Sequence, residues 1–193
     1  VLEAACRDAR AWHAEFGDAS PFVSVNVAPR QLHEPGLVAE IAALLDRTGL
    51  PADRLQVELT ERALTTDEGA PLKALDGLRE MGIKIAVDDF GTGYSNLSYL
   101  RRLPVDVIKL DGSFGEGLRE EELSDEVDER IVGTLVALGH ALDLTVTAEG
   151  VETAPQATRL RALGCDEGQG WLFAPALPAG DIAAMLRRGL PLG

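Results

Sequence analysis

An α/β barrel is the fold class the sequence predicts, and three observations predict it. Apolar strand-like runs alternate with helix-like stretches along the whole chain, so the order is β, α, β, α throughout. Each strand candidate carries a polar residue at or near its C-terminal end. The 193 residues are 46% apolar, enough for a substantial core in one domain. Strands joined by crossover helices are parallel, so their C-terminal ends emerge on one rim, where a closed α/β barrel places its chemistry. A doubly wound open sheet fits the alternation but gathers its ligand groups at one crevice, so the barrel is preferred.

The first residues, "VLEAACRDARAW", form an amphipathic helix rather than a signal peptide. The strand candidates are "FVSVNV" (22–27), "LQVELT" (55–60), "IKIAVDD" (83–89), "VDVIKLD" (105–111), "LTVTAEG" (144–150) and "GQGWLF" (168–173). Helical patterns lie between them in "PGLVAEIAALLDRTG", "PLKALDGLREMG", "DERIVGTLVALGHALD" and "APQATRLRALG", with Gly49, Gly82 and Gly164 at cap positions. Eight strand and helix units need about 250 residues. This chain supplies six strands and opens in a helix at Val1, so about two strands are expected to precede it.

Composition narrows the function. A net charge of −14 argues against a nucleic acid polymer as partner, and an anionic ligand would need a metal to help hold it. The acidic run "EGLREEELSDEVDE" (116–129) is expected to be a solvated loop or helix face. With no long apolar run, the chain is expected in the cytoplasm, without direct membrane contact in this segment. Cys6 and Cys165 show neither metal-ligand nor redox spacing and are expected to be buried thiols. His13, His33 and His140 have no paired spacing and are expected to be structural.

The rim residues are Asn26, Glu58, Asp88, Asp89, Lys109, Glu149 and Gln169. Carboxylates at the ends of apolar strands need cations or several hydrogen bonds to hold them. Hard oxygen donors from Asn26, Glu58, Asp88, Asp89 and Glu149 suit Mg²⁺ or Mn²⁺ rather than Zn²⁺. Neighbours on a regular strand face opposite ways, but at a strand end the backbone can turn so that Asp88 and Asp89 both reach the rim. One carboxylate could then bridge two ions, a clamp suited to phosphodiester hydrolysis. Lys109, one of three lysines, is a candidate general base or phosphate clamp, the plainer alternative being a structural pair with Asp111. Lys84 starts a strand and is expected on the opposite face of the barrel.

The blocks "SVNVAPRQL", "LQVELTERAL", "IKIAVDDFGTGYSNLSYL", "VDVIKLDGSF", "VTAEGVET" and "GCDEGQGWLFAPAL" resemble, in order and spacing, the EAL-domain phosphodiesterases of bacterial cyclic di-GMP signalling. The resemblance implies a modified TIM-type (β/α) barrel, with residues 1–193 as its C-terminal six strand-helix units, and hydrolysis of cyclic di-GMP to linear pGpG with two Mg²⁺ or Mn²⁺ ions. It implies that Asn26, Glu58 and Asp88 ligate one ion, that Asp88 and Asp89 meet the second, and that Glu149 sits at the metal centre. Lys109 would contact and activate the water, with Gln169 beside it. Glu61 matches the glutamate that anchors the mobile loop "DFGTGYSNLSYL"; the plainer alternative is a helix N-terminal acid. The resemblance further implies a homodimer near that loop and fusion to other signalling domains.

The Glu-Ala-Leu segment, whose glutamate is another ligand in the family, is not in this sequence, nor is the nearby family arginine. Gly112 stands where the family usually has arginine. A catalytically inactive module that binds cyclic di-GMP or a protein partner is therefore the alternative. From chemistry alone, an enolase-like barrel with Lys109 as base is a third reading, but it gives no reason for two adjacent acids leading into "GTGYSNL".

Overall fold

The computed structural model describes residues 1–61, 69–93, 100–118 and 126–189, in two compact units, Val1–Val107 and Ile108–Gly193. The first unit opens with helix α1 (Leu2–Phe16), which buries Cys6, Ala9 and Trp12 at three-residue spacing and turns its charged side chains outward. Strand β1 (Val23–Asn26), a short helix α2 (Pro29–Leu32), α3 (Leu37–Thr48), β2 (Leu55–Thr60), α4 (Ala70–Glu80) and β3 (Lys84–Phe90) follow. Helix α3 buries Leu37, Ile41, Leu44 and Leu45, one face at helical period, and Gly49 ends it with φ 68°.

The three strands pair in parallel, Asn26 opposite Glu58 and Thr60 opposite Asp88. On β2, Leu55, Val57 and Leu59 are fully buried, as are Ile85, Ala86 and Val87 on β3. Burial of both faces explains why these strands read as near-continuous apolar runs. Lys84 is exposed at the start of β3 with its Nζ 5.8 Å from the Phe22 ring centroid, at the end of the strand away from the acids.

The second unit holds β4 (Val107–Leu110, its first residue closing the first unit), a 3-10 helix (Gly112–Leu118), α5 (Glu126–Ala141), β5 (Thr145–Ala148), α6 (Ala154–Ala162), β6 (Glu167–Gly168) and α7 (Ala179–Arg188). Strands β5 and β6 pair in parallel. The Glu149 amide donates to Leu110 O at 3.0 Å, joining the end of β4 to the turn after β5. Glu126, Asp128 and Glu129 occupy the first turn of α5, where acids complement the helix dipole; the acidic stretch 119–125 lies outside the described residues.

Two expectations are corrected. The strand expected over 168–173 is Glu167–Gly168 only, because the Val151 amide donates to Gln169 O and the Leu172 amide to Val151 O, folding the chain back around Val151. Cys6 is buried but Cys165 is only half-buried, beyond the end of α6. Burial, then the neighbouring Asp166 charge, push the Cys165 thiol up to about 11, and burial raises Cys6 as well, so neither forms thiolate readily.

Candidate active site

In the first unit the register decides which side chains share a face. Paired residues on parallel neighbours point the same way, and residues two apart on one strand do too. Asn26 pairs with Glu58, Glu58 pairs with Ala86, and Asp88 is two residues beyond Ala86. Asn26, Glu58 and Asp88 therefore fall on one face at the C-terminal ends of three strands. Ser24 and Gln56 lie on the same face one step lower. The Ser24 hydroxyl donates to Glu58 Oε1 at 2.7 Å and accepts from Gln56 Nε2 at 3.2 Å, so the 7%-exposed Glu58 carboxylate is held in place.

Asp89 has φ 55°, the left-handed region that a side chain rarely adopts. That turn breaks the alternation of β3, and carboxylate oxygens of Asp88 and Asp89 lie within 4.8 Å of each other. This single residue's conformation is what brings the two adjacent carboxylates near each other. Glu61 follows β2 directly and is 6% exposed, with Oε2 accepting from the Gly91 amide at 3.1 Å and the Gly93 amide at 3.3 Å. A Cβ at Gly93 would lie 2.8 Å from Glu61 Oε1, so a larger residue there would push the carboxylate aside. The anchoring contact is thus present at the start of the loop; the mobility expected of the loop falls largely on residues 94–99, outside the described residues.

In the second unit Lys109, 4% exposed on β4, has Nζ 2.5 Å from Glu149 Oε1 at the end of β5. Asp111 turns elsewhere, accepting from the Ser113 amide at 3.0 Å and from the Ser113 hydroxyl at the start of the 3-10 helix. Gln169 follows β6, exposed, its backbone N–H donating to Ala148 O at 2.8 Å. Glu149, Glu152, Gln169 and Trp171 line a cavity of about 480 Å³. Gln156, fully buried at the start of α6, accepts from the Glu152 amide at 2.7 Å and donates to Gly115 O at 3.0 Å, tying the turn that carries both glutamates to the 3-10 helix. Gly112 packs on Gly150: a Cβ at Gly112 would lie 3.3 Å from the Gly150 Cα. A larger residue there would press on the turn beside Glu149.

Ser24, Glu152, Gln156 and Trp171 carry no sequence signal strong enough to single them out. For Glu152 and Gln156 the available signal is position, three and seven residues after Glu149.

A parallel α/β fold whose strands close on acids, an amide and a lysine is of the class that keeps its chemistry at the C-terminal strand ends. The chain belongs to the EAL domain family, whose profile matches residues 1–176. Among relatives, the uncharacterised protein Rv1357c of Mycobacterium tuberculosis is 47% identical over 178 residues, 92% of this chain and 58% of its own length. The bifunctional diguanylate cyclase/cyclic di-GMP phosphodiesterase MucR of Pseudomonas aeruginosa is 41% identical over 184 residues, 95% of this chain and 26% of MucR. The chain thus spans only part of either relative.

Solved structures agree. The EAL domain of Mycobacterium smegmatis DcpA superposes with TM-score 0.89 at 36% identity, covering 98% of this chain and 83% of that one. The c-di-GMP complex of the MucR phosphodiesterase gives TM-score 0.84 at 40% identity, covering 94% and 71%. A manganese and c-di-GMP complex of Klebsiella pneumoniae BlrP1 gives 0.78 at 31%, covering 90% and 42%. The fold is therefore the modified TIM-type α/β fold of EAL domains.

Proposed function

We propose that this domain, residues 1–193, hydrolyses cyclic di-GMP to linear pGpG, in the cytoplasm and as part of a longer signalling protein. The observation that carries the reading is the conformation of Asp89, which brings two adjacent carboxylates together at a strand end in a chain of the EAL family. All-oxygen donors fit Mg²⁺ or Mn²⁺, and a relative of this fold is solved with manganese. Asn26, Glu58 and Asp88, on one face, would hold one ion, and Asp88 with Asp89 a second. Two such ions, when bound, supply neutralisation of the charge that builds on the phosphodiester.

The chain's own groups do the rest. The Lys109–Glu149 pair orients the attacking water and takes its proton. A new P–O bond forms to the water oxygen, the bond from phosphorus to one ribose 3′ oxygen breaks, and that oxygen leaves with the proton the pair took from the water. Ser24 fixes the Glu58 carboxylate and Glu61 fixes the loop backbone that follows Asp89, so both acids meet substrate already oriented. Gln169 lies beside the water. Pairing of two copies near the Asp88–Asp89 loop is part of the proposal, and a monomeric mass in light scattering at every concentration would remove it.

The test is chromatography of cyclic di-GMP incubated with the chain and Mg²⁺ or Mn²⁺, beside a Lys109→Ala copy. pGpG should appear with the unsubstituted chain and fall at least about a hundredfold with Lys109→Ala. Intact cyclic di-GMP in both metals, with the chain folded, would overturn the enzyme reading; binding without turnover would identify the inactive binding module instead.

A further inference from the structure

Gln156 occupies the third position of α6, where a glutamine ordinarily returns a bond to the helix cap and stays in solvent. Part of that pattern is here. The Thr153 hydroxyl accepts from the Gln156 backbone N–H at 3.3 Å, and Gln156 Oε1 accepts from the Thr153 backbone N–H at 3.4 Å. The rest is more than a cap needs. The side chain is fully buried, its Oε1 sits closer to the Glu152 backbone N–H, at 2.7 Å, and its Nε2 donates away from the helix, to Gly115 O at 3.0 Å and Gly150 O at 3.4 Å. One amide group therefore ties the 3-10 helix after β4 to the turn after β5.

Those segments adjoin the groups assigned to the attacking water. Lys109 lies on β4 just before the 3-10 helix, and Glu149 immediately precedes Gly150, whose φ of 64° turns the chain. The Glu149 backbone N–H donates to Leu110 O at 3.0 Å, so the backbones of the pair run side by side. Beyond that bond the segments meet at Gly112 and Gly150, where a Cβ on Gly150 would lie 3.0 Å from the Gly112 Cα. Two glycines offer no side chains to lock the contact, and the Gln156 bonds to Gly115 and Gly150 supply the lock. Glu149 Oε1 is 2.5 Å from Lys109 Nζ, and a displaced turn would open that distance. Misplacement by about an ångström is enough to slow a reaction that depends on a positioned water.

We propose that Gln156 is a positioning residue: it holds the turn that carries Glu149 at the reach of Lys109, and so sets the rate of hydrolysis rather than the affinity for substrate. This rests on the reading of Lys109 and Glu149 as the pair that handles the water in cyclic di-GMP hydrolysis.

The experiment is steady-state hydrolysis of cyclic di-GMP in Mn²⁺, well below the melting temperature of every variant, beside calorimetric affinity for cyclic di-GMP in Ca²⁺. Gln156→Met keeps the length of the side chain and removes its bonds. Gly115→Ala disturbs the same contact from the other side, since a Cβ there would lie 2.7 Å from Gln156 Nε2, and it carries the test should Gln156→Met fail to fold. Gln156→Met should lower kcat at least about tenfold and Gly115→Ala about threefold, with KM and Ca²⁺ affinity held within about twofold. The double variant should be no slower than Gln156→Met alone, because both changes act through one contact. In the metal-free chain the Glu152 backbone N–H should exchange with solvent at least about tenfold faster in Gln156→Met than in the unsubstituted chain. A kcat within about twofold of the unsubstituted chain in both variants would overturn the proposal and leave Gln156 a helix cap, with the phosphodiesterase reading intact. A change confined to KM, a double variant that multiplies the two single effects, or equal exchange at Glu152 would overturn it as well. Cyclic di-GMP left intact by the unsubstituted chain would overturn the phosphodiesterase reading and this proposal with it.

Discussion

Glu61 is placed where one side chain would serve both stability and the proposed activity. Its carboxylate is nearly buried and accepts from two backbone amides of the loop that follows Asp89. Charge-assisted bonds of this kind contribute about 1.5–3 kcal/mol each. Both amides donate to one oxygen, Oε2, so replacing Glu61 with Gln keeps an acceptor of the same shape but removes the charge that strengthens both bonds. Glu61→Gln should lower kcat/KM for cyclic di-GMP at least about tenfold and lower the melting temperature, measured by steady-state kinetics and calorimetry. Unchanged values for both would leave Glu61 without an anchoring role. The residues on the strand ends are legible in the sequence because a carboxylate closing an apolar run is costly to bury, and so marks where a cation or several donors must meet it. Ser24 is not legible: its partner Glu58 is 34 residues away, and a serine inside a strand gives no sign of which side chain it meets. Trp171 falls in a run whose pattern predicts a strand, because a large apolar residue ordinarily signals burial.

Five of the six strand positions are legible at the element scale, since apolar runs bounded by polar residues survive in the structure as β1 to β5. The sixth shifts because the apolar run after Gly168 follows a turn around Val151, a tertiary contact that no local pattern encodes. Helix α5 and strand β5 are joined through Asp166, which accepts from the Val146 amide at 2.8 Å and pairs with His140 Nε2 at 3.0 Å. Burial works to raise the Asp166 carboxyl, but the Val146 amide and the His140 ring outweigh it, and its pKa is lowered below the ordinary 3.8. A carboxyl lowered in the folded state contributes its full stability above its unfolded value and loses it as pH falls through the folded value. The melting temperature of the unsubstituted chain should therefore exceed that of Asp166→Asn at about pH 6, and the gap should close as the pH falls below the ordinary carboxylate range. A gap that persists in acid would show that the contact is steric rather than ionic.

Charge governs the whole molecule. With 32 acidic residues against 18 lysines and arginines, the folded chain repels itself and has an excess of anionic oxygen donors. Among the described residues no helix is long and apolar enough to cross a membrane. A divalent ion that binds only the folded chain stabilises it by mass action, by about 2.7 kcal/mol at a hundredfold excess over Kd. Mn²⁺ should therefore raise the melting temperature in scanning calorimetry, and Asp88→Asn should remove most of the rise while leaving the metal-free melting temperature little changed. An equal rise in Asp88→Asn would mark general charge neutralisation instead. The Glu61 contact offers a way to watch ligand loading in the intact molecule without turnover. An amide proton bonded to a carboxylate is strongly deshielded, and glycine nitrogens resonate apart from those of other residues. Gly91 and Gly93 are thus paired reporters in a nitrogen–proton correlation spectrum, moving together when Glu61 releases the loop and separately when only one bond breaks.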